Sequence, residues 1–334
     1  MDVKTAISRR SALTGMGAVL ATAAINPALA SSLNTEENHV FNGSEDPNTK
    51  YPRPPFKEQK QPWPGLVSKM DPRPDHGEKS YKGSGRLKGR KALITGGDSG
   101  MGRAAAIAYA REGADVAINY YPSEEEDAKE VIQLIKAEGR KAIAIPGDLR
   151  DEAFCKSLVE QAAKALGGLD IVVNNAARQQ THASILDIST EDFDATMKTN
   201  IYAPFWIIKA ALAHLQPGSS IIGTSSVQAY APTEDLYDYA QTKAATTNYI
   251  KSLAKQLAPK GIRVNGVAPG PVWTPLQVSG GATMEKLKGF GSKTPMGRPG
   301  QPAELASIYV QLAANDASYA TGQIYGASGG EGNP

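Results

Sequence analysis

From residue 87 onward, short apolar runs alternate with longer amphipathic stretches. The apolar runs are continuous rather than alternating, as strands are when both faces of a sheet are covered. They predict seven strands, at residues 92–95, 116–119, 142–145, 171–174, 220–224, 263–268 and 323–326. The amphipathic stretches predict helices at residues 102–112, 124–137, 152–166, 191–215, 239–257 and 302–313. This order predicts an α/β fold with a single doubly wound parallel sheet, which binds its ligand at the carboxyl ends of the strands.

The first strand leads into a glycine-rich turn that opens an alanine-rich helix. The turn reads Thr95-Gly96-Gly97-Asp98-Ser99-Gly100-Met101-Gly102. Its glycines stand where a tight turn, a close approach to an anion and helix-on-strand packing each exclude a side chain. The unpaired N–H groups at the helix start favour a pyrophosphate. The turn predicts a Rossmann-type dinucleotide site, although the same spacing also occurs where a turn only packs a strand on a helix.

The end of the second strand bears on which dinucleotide is bound. It reads Asn119-Tyr120-Tyr121, without the acid that binds an adenosine ribose or the base that binds a 2′-phosphate. The acidic run from Glu124 to Asp127 predicts the solvated start of a helix, which would repel a 2′-phosphate. Arg103, just past the glycine turn, has the length to reach a phosphate. The balance favours NAD, with NADP as the alternative.

Three further segments place polar groups near the same edge of the sheet. In Gly147-Asp148-Leu149, after the third strand, the acid would lie beside the adenine or cap the next helix. Asn174-Asn175-Ala176-Ala177 ends the fourth strand with small and amide-bearing residues. Thr199-Asn200 falls inside a predicted helix, where a poor helix former indicates a kink or a functional amide.

A tyrosine and a lysine four residues apart open the helix after the fifth strand. Tyr239 and Lys243 would lie side by side on one face of that helix, and Ser226 precedes Tyr239 by 13 residues. Such a pair on a surface helix usually has no function. Here it follows a strand end near a predicted dinucleotide turn, so it predicts an acid–base site.

Together these motifs resemble the classical short-chain dehydrogenase/reductase family, and within it a divergent bacterial branch with a proline-rich N-terminal arm. The resemblance covers about residues 87–326, with one departure at Ala177, where the family usually has glycine. It implies hydride transfer between a nicotinamide cofactor and a small alcohol or carbonyl compound, in a homotetramer. The catalytic residues it implies are Asn200, Ser226, Tyr239 and Lys243. The expected cofactor contacts are Thr95, Gly96, Asp98, Ser99, Gly100, Met101, Gly102, Tyr120, Asp148, Leu149, Asn175, Ala176, Tyr239, Lys243, Pro269, Gly270, Val272 and Thr274.

Oxidation of an alcohol needs a base at the hydroxyl, and Tyr239 can be that base only as a phenolate. Its reference pKa of about 10 means that working near pH 7 takes about 4 kcal/mol of stabilisation. A Lys243 charge about 5 Å away supplies about 3 kcal/mol at an effective dielectric of about 20. The positive nicotinamide would supply the rest, which predicts a lower Tyr239 pKa with NAD than with NADH. Ser226 would orient the carbonyl, and Asn200 would hold a water that relays protons to Lys243.

The expected substrate is a small alcohol, aldehyde or ketone. Residues 274–294 hold four glycines and have the composition of a mobile lid. Two other functions stay open: a nucleotide-binding protein without turnover, and a lyase or epimerase that retains its cofactor. The candidate pocket residues are Arg178, Gln179, Gln180, Val227, Gln228, Tyr230, Trp273 and Leu276.

Composition excludes other classes of function. The 36 basic and 34 acidic residues nearly balance, which speaks against nucleic-acid binding. A single cysteine allows no internal disulfide. The four histidines share no ligand spacing, so no metal site is expected.

The first 30 residues resemble a twin-arginine export signal. Arg9-Arg10 precedes a mildly apolar run that is too short for a membrane span, and Ala28-Leu29-Ala30 is a small-residue cleavage pattern. This predicts a periplasmic protein. The alternative is a disordered tail on a cytoplasmic one.

Residues 31–86 separate this leader from the predicted domain at residues 87–334. They hold 8 of the 22 prolines and predict an extended arm. Phe56 and Trp63 would be poorly placed on a free linker, because burying such side chains is worth a few kcal/mol. The arm is therefore expected to dock on the main domain or on a neighbouring subunit.

Overall fold

The computed structural model describes residues 45–332. A compact unit begins at Pro47 and contains the whole sheet. The predicted export signal and residues 31–44 of the predicted arm lie outside the described residues. Within the described part, no helix is both long and apolar enough to cross a membrane.

Within residues 45–332, seven strands form one parallel sheet. They are β1 (Lys91–Thr95), β2 (Asp115–Tyr120), β3 (Ala142–Pro146), β4 (Ile171–Asn174), β5 (Ser220–Thr224), β6 (Arg263–Pro269) and β7 (Ile324–Ala327), in the order β3-β2-β1-β4-β5-β6-β7. The predicted Rossmann-type sheet is confirmed, and each predicted strand overlaps an observed one. The strand order reverses between β1 and β4, where a doubly wound sheet opens a crevice at its carboxyl edge.

Helices cover both faces of this sheet. They are α1 (Gly100–Arg111), α2 (Glu125–Ala137), α3 (Glu152–Leu166), α4 (Thr190–Met197), α5 (Ala203–Ala211), α6 (Tyr237–Leu257), α7 (Met284–Lys288) and α8 (Pro302–Ala313). Successive side chains of a strand point to opposite faces. Ala92 and Ile94 accordingly pack with α1, α2 and α8, whereas Leu93 packs with α3, α5 and α6. The sheet is therefore covered twice, as its continuous apolar strands predict.

The helix predicted over residues 191–215 is observed in two parts. A π-helical turn at Lys198–Tyr202 joins α4 to α5, which ends at Ala211. Thr199 donates its hydroxyl to the Ala195 carbonyl at 2.8 Å, a bond that competes with regular helix geometry. The irregularity indicated by Thr199-Asn200 is thus a wide turn, of the kind often found at functional sites.

Residues 47–86 pack on their own chain in a mostly irregular conformation. Phe56 stacks on Trp273 with ring centroids 4.2 Å apart. The indole N–H of Trp273 donates to the Pro72 carbonyl at 2.8 Å. The arm therefore docks on the main domain of its own chain, which is one of the two sites expected.

Candidate active site

The turn between β1 and α1 excludes side chains at its glycine positions. A Cβ on Gly102 would lie 2.0 Å from the Gly96 carbonyl oxygen, and Gly100 has a φ of +51°, a region that favours glycine. Ser99 at the helix N-cap makes no side-chain hydrogen bond to the first turn, which also holds no acid. The N–H groups that begin α1 are therefore open to an anion.

A first cavity opens along the carboxyl edge of the sheet, at this turn. It extends from the glycine turn to the start of α6 and brings together most of the predicted cofactor contacts. Those that line it are Gly96, Asp98, Ser99, Gly100, Met101, Tyr120, Asp148, Leu149, Asn175, Ala176, Tyr239, Lys243 and Thr274.

The other predicted cofactor contacts lie outside the first cavity. Thr95 and Gly102 line neither of the two cavities. Both instead pack inside the turn and hold its shape. The Thr95 hydroxyl accepts the N–H groups of Asn175 at 3.0 Å and Ala176 at 3.1 Å, which fixes the end of β4 against the turn. A second cavity adjoins the first and is lined by Ser226, Pro269, Gly270 and Val272.

Tyr239 lines both cavities. Its side chain is only 7% exposed, and burial raises its pKa to about 12, although a hydrogen bond with Ser226 acts in the opposite direction. The hydroxyl is therefore protonated at neutral pH. Ser226 is held in turn by the N–H of Gln228, which donates to its hydroxyl at 3.1 Å.

Lys243 lies beside the tyrosine, as the four-residue spacing predicts. Its Nζ is 5.3 Å from the centroid of the Tyr239 ring and donates to the Thr224 carbonyl at 2.7 Å. Burial lowers the pKa of this ammonium to about 7. An ammonium has three N–H donors, so two remain beyond the bond to Thr224.

Asn200 lies in the π-helical turn behind the pair and lines neither cavity. Its amide nitrogen donates to the Arg178 carbonyl at 2.9 Å and to the Thr242 hydroxyl at 3.0 Å. Its oxygen accepts the Arg178 N–H at 2.8 Å. The amide thus ties the loop after β4 to helix α6, and its oxygen keeps one further acceptor position.

Carboxylates cluster near the β2 end of the first cavity, where a solvated helix start was expected, and Asp98 and Glu124 line the cavity there. Asp127 is 1% exposed, and its Oδ2 accepts the Val67 N–H at 2.7 Å. Burial raises the pKa of Asp98 and, together with the charge of Asp98, that of Glu124. The expectation of a solvated run was wrong for Asp127, which the arm covers, whereas Glu126 is exposed as expected.

Arg103 is not available to a phosphate. Its side chain is 0% exposed, and Nη2 lies 3.0 Å from Glu78 Oε1 and 2.9 Å from Glu130 Oε1. Asp148, which also lines the first cavity, pairs with Arg150. The cap of α3 is instead Asp151, which accepts N–H groups of the first turn.

The structure divides the candidate pocket residues. Trp273 lines neither cavity, because it is 0% exposed beneath Phe56, and its assignment to the pocket was wrong. Gln180 lines neither cavity, and its amide donates to the Ser279 carbonyl at 3.3 Å. Arg178 lines the first cavity. The second cavity is lined by Gln179, Val227, Gln228, Tyr230 and Leu276.

Sequence reasoning missed three residues of the arm, Trp63, Pro64 and Gly65, which line the first cavity. The signal for them was a tryptophan in an otherwise polar, proline-rich segment. Among residues 45–332, no group of three or more His, Cys, Asp or Glu side chains is arranged to hold a metal ion.

Comparison with known proteins gives consistent matches. Residues 96–331 match the family model adh_short_C2, described as enoyl-(acyl carrier protein) reductase. The uncharacterized oxidoreductase YghA of Escherichia coli K12 is 58% identical over 86% of this chain and 97% of its own length. Glucose and ribitol dehydrogenase of Daucus carota is 44% identical over 83% of this chain and 96% of its own.

A solved structure agrees with the fold. The short-chain dehydrogenase from Burkholderia cenocepacia J2315 in complex with NADP superposes with a TM-score of 0.69 and 35% identity, over 73% of this chain and 98% of its own. The family model covers more than half of the chain, and the fold agrees with that of a solved short-chain dehydrogenase. The chain belongs to the short-chain dehydrogenase/reductase family of oxidoreductases.

Proposed function

We propose that this protein interconverts a small alcohol and its aldehyde or ketone, with a nicotinamide dinucleotide as hydride carrier. The position of Tyr239 carries the proposal. Because its side chain lines both cavities, one hydroxyl can meet a cofactor on one side and a substrate on the other. Ser226 is hydrogen-bonded to Tyr239 and Lys243 lies beside its ring, as an acid–base site requires.

The first cavity fits a dinucleotide by its own geometry. The glycine turn and the N-terminus of α1 would hold the pyrophosphate. The Oδ2 atom of Asp98 is buried without a hydrogen-bond partner among the described residues, so it would accept a ribose hydroxyl. Lys243 would bind the other ribose through its remaining donors. Pro269 and Thr274 would lie at the carboxamide.

When bound, the nicotinamide accepts the hydride that leaves the alcohol carbon. Tyr239, as phenolate, takes the hydroxyl proton, so the alcohol loses two hydrogens and becomes a carbonyl compound. Ser226 donates a hydrogen bond to the same oxygen. Lys243 stabilises the phenolate by its charge. Asn200 supports the proton relay by accepting from a water at its remaining position on Oδ1.

We further propose NAD as the preferred dinucleotide. Asp98 and Glu124 line the first cavity near β2. The pKa of both carboxyls is raised, because this buried acidic end disfavours negative charge, and a 2′-phosphate would be disfavoured for the same reason. Arg103 is already paired with Glu78 and Glu130. Arg150, which also lines the cavity, is paired with Asp148. The NADP in the Burkholderia structure argues for the other dinucleotide, so the Michaelis constants for both decide the question.

A spectrophotometric screen of alcohols and carbonyl compounds, read by the reduced nicotinamide, tests the proposed reaction. The carrot relative adds glucose and ribitol to the alcohols screened. We expect turnover with the wild type and loss of turnover with Tyr239→Phe. Binding of cofactor without turnover would indicate a silent nucleotide-binding protein. Product without net change of cofactor would indicate a lyase or epimerase.

We also propose a homotetramer exported to the periplasm. Exposed aromatic side chains on neighbouring helices support self-association: Tyr202 and Phe205 are 47% and 60% exposed near α5, and Tyr237 is 45% exposed on α6. Light scattering tests the oligomer, and a monomer would contradict it. Periplasmic material should begin near Ser31 by N-terminal sequencing, whereas full-length protein in the cytoplasm alone would contradict export.

A further inference from the structure

The first cavity has one wall that does not come from the sheet or its helices. Trp63, Pro64 and Gly65 of the arm line it together with residues of the glycine turn. They lie ahead of β1 in the chain and outside every family motif identified above. Their contacts on each side show what holds them there.

On one side, the arm is attached to the segment after β6. The Gln61 N–H donates to the Val278 carbonyl at 2.9 Å. Gly65 packs so closely that a Cβ on it would lie 2.9 Å from the Pro275 carbonyl oxygen. Pro275 also lines the first cavity, so this attachment is at its rim.

On the other side, the arm is attached to the segment after β2. The Val67 N–H donates to Asp127 Oδ2 at 2.7 Å in a buried setting. The Trp63 ring lies 5.0 Å from the Tyr121 ring, centroid to centroid. Tyr121 is another lining residue of the first cavity.

These two attachments lie on opposite sides of the crevice. In the sheet order, β2 is next to β1 on one side, and β6 lies beyond β4 and β5 on the other. Residues 61–67 therefore bridge the two walls across the carboxyl edge. We call them the strap.

We infer that the strap closes over the bound dinucleotide, with Trp63 contacting its adenosine half, and that the strap must open before cofactor exchanges. The inference rests on the proposed function, because it takes the first cavity as the dinucleotide site. Trp63 is still 39% exposed and has ring surface left to bury against a base. A closed strap slows release more than it speeds capture, so its effect falls on the dissociation rate.

Two variants loosen the strap in different ways. Trp63→Ala removes the ring that would contact adenosine. Gly65→Ala keeps that ring but places a methyl group against the Pro275 carbonyl, which pushes the strap off the wall. Tyr319→Ala is the matched control, since it removes an aromatic ring that is fully exposed and lines neither cavity.

The measurement is NADH release, followed by stopped-flow fluorescence as excess NAD displaces it, together with the dissociation constant of NADH and the thermal midpoint. NADPH replaces NADH if it binds more tightly. We expect both strap variants to release NADH at least about tenfold faster than the wild type. The thermal midpoint of Trp63→Ala should stay near that of the wild type, because its ring is 39% exposed, whereas that of Gly65→Ala should fall as the strap loses contacts. Tyr319→Ala should match the wild type throughout.

Unchanged release in both variants, with NADH still bound, would overturn the strap while leaving the proposed function intact. An equally fast release of NADH in Tyr319→Ala would also overturn it. If the wild type binds neither NADH nor NADPH, the proposed function itself fails, and the strap has no ligand to close over.

Discussion

The first cavity has two ends: a reaction end at Tyr239 and Lys243, and an adenosine end at Asp98 and Glu124. Burial shifts the pKa values at both ends. At the reaction end, burial raises the pKa of Tyr239 to about 12 and lowers that of Lys243 to about 7. At the adenosine end, burial raises the pKa of Asp98 and Glu124. Desolvation disfavours every charged form. In the proposed function, the reaction end is active only when a bound partner brings positive charge, whereas the adenosine end disfavours a partner that brings more negative charge.

Burial makes the reaction end harder to ionise than its residue types suggest. Lowering the Tyr239 pKa from about 12 to 7 takes about 7 kcal/mol, not the 4 kcal/mol expected for an exposed tyrosine. A Lys243 ammonium 5.3 Å from the ring supplies about 3 kcal/mol. The positive charge of the oxidised nicotinamide therefore has a larger part than the sequence alone predicts.

Tyr239→Phe should have the largest effect and act on the reaction end alone. We expect turnover to fall by about a thousandfold or more, because the proton acceptor is lost. The dissociation constant of NADH should change by no more than a few-fold. Tyr237→Phe, an exposed tyrosine on the same helix, is the control. Turnover near the wild-type rate in Tyr239→Phe would contradict its role as acid–base residue.

Phe56→Ala should loosen the packing of the arm on the main domain and lower the stability of the protein. The ring is 5% exposed and stacks on Trp273, so its loss leaves a cavity under the arm. We expect the free energy of unfolding in urea to fall by about 3 kcal/mol. An unchanged value would mean that the arm does not stabilise the domain. Tyr319→Ala should change it little.

Glu124→Gln should shift the choice of cofactor. Burial raises the pKa of Glu124 to about 9, so this group carries a negative charge only in alkaline assays. At about pH 10 the substitution removes that charge from the adenosine end and reduces the repulsion of a 2′-phosphate. We expect kcat/KM for NADP relative to NAD to rise about tenfold, which corresponds to about 1.4 kcal/mol. Glu126→Gln changes an exposed acid of the same run and should leave the ratio unchanged. A wild type that strongly prefers NADP would overturn the charge argument.

The two ends should also respond to pH in opposite directions. Glu124 has a raised pKa in the folded state, so its contribution to stability falls as pH rises above about 4. Lys243 has a lowered pKa, so its contribution rises with pH between about 7 and 10.5. Each slope is at most about 1.4 kcal/mol per pH unit.

Urea unfolding across this pH range checks the signs. Compared with the wild type, Glu124→Gln should lose a falling component of the pH dependence, and Lys243→Met should lose a rising one. Slopes of the same sign would break the comparison between the two ends. Asp98 and Asp127 lie near Glu124, and Arg103 acts on Asp127, so the differences between variant and wild type are compared, not the absolute slopes.

The reaction end could be predicted from the sequence because its spacings are local. Tyr239 and Lys243 are one helical turn apart, and the glycine turn joins one strand to one helix. Continuous apolar strands likewise predicted the sheet. The π-helical turn was only indicated, because a hydroxyl bond such as that of Thr199 leaves no pattern beyond a poor helix former.

The adenosine end could not be predicted in the same way, because it joins distant parts of the chain. Val67 meets Asp127 across 60 residues, so one acid of a run that the sequence predicts to be solvated is buried. The sequence predicts Arg103 as a phosphate ligand, because it does not show that Glu78 and Glu130 lie beside it. Trp63 could be expected to dock, but nothing in the sequence tells where.

The most direct test of the account is the titration of Tyr239 in the NAD and NADH complexes, read as the difference in phenolate absorbance between wild type and Tyr239→Phe. The account predicts a lower Tyr239 pKa with NAD, because only the oxidised nicotinamide adds positive charge beside a buried phenol and amine. Equal pKa values in the two complexes would contradict it.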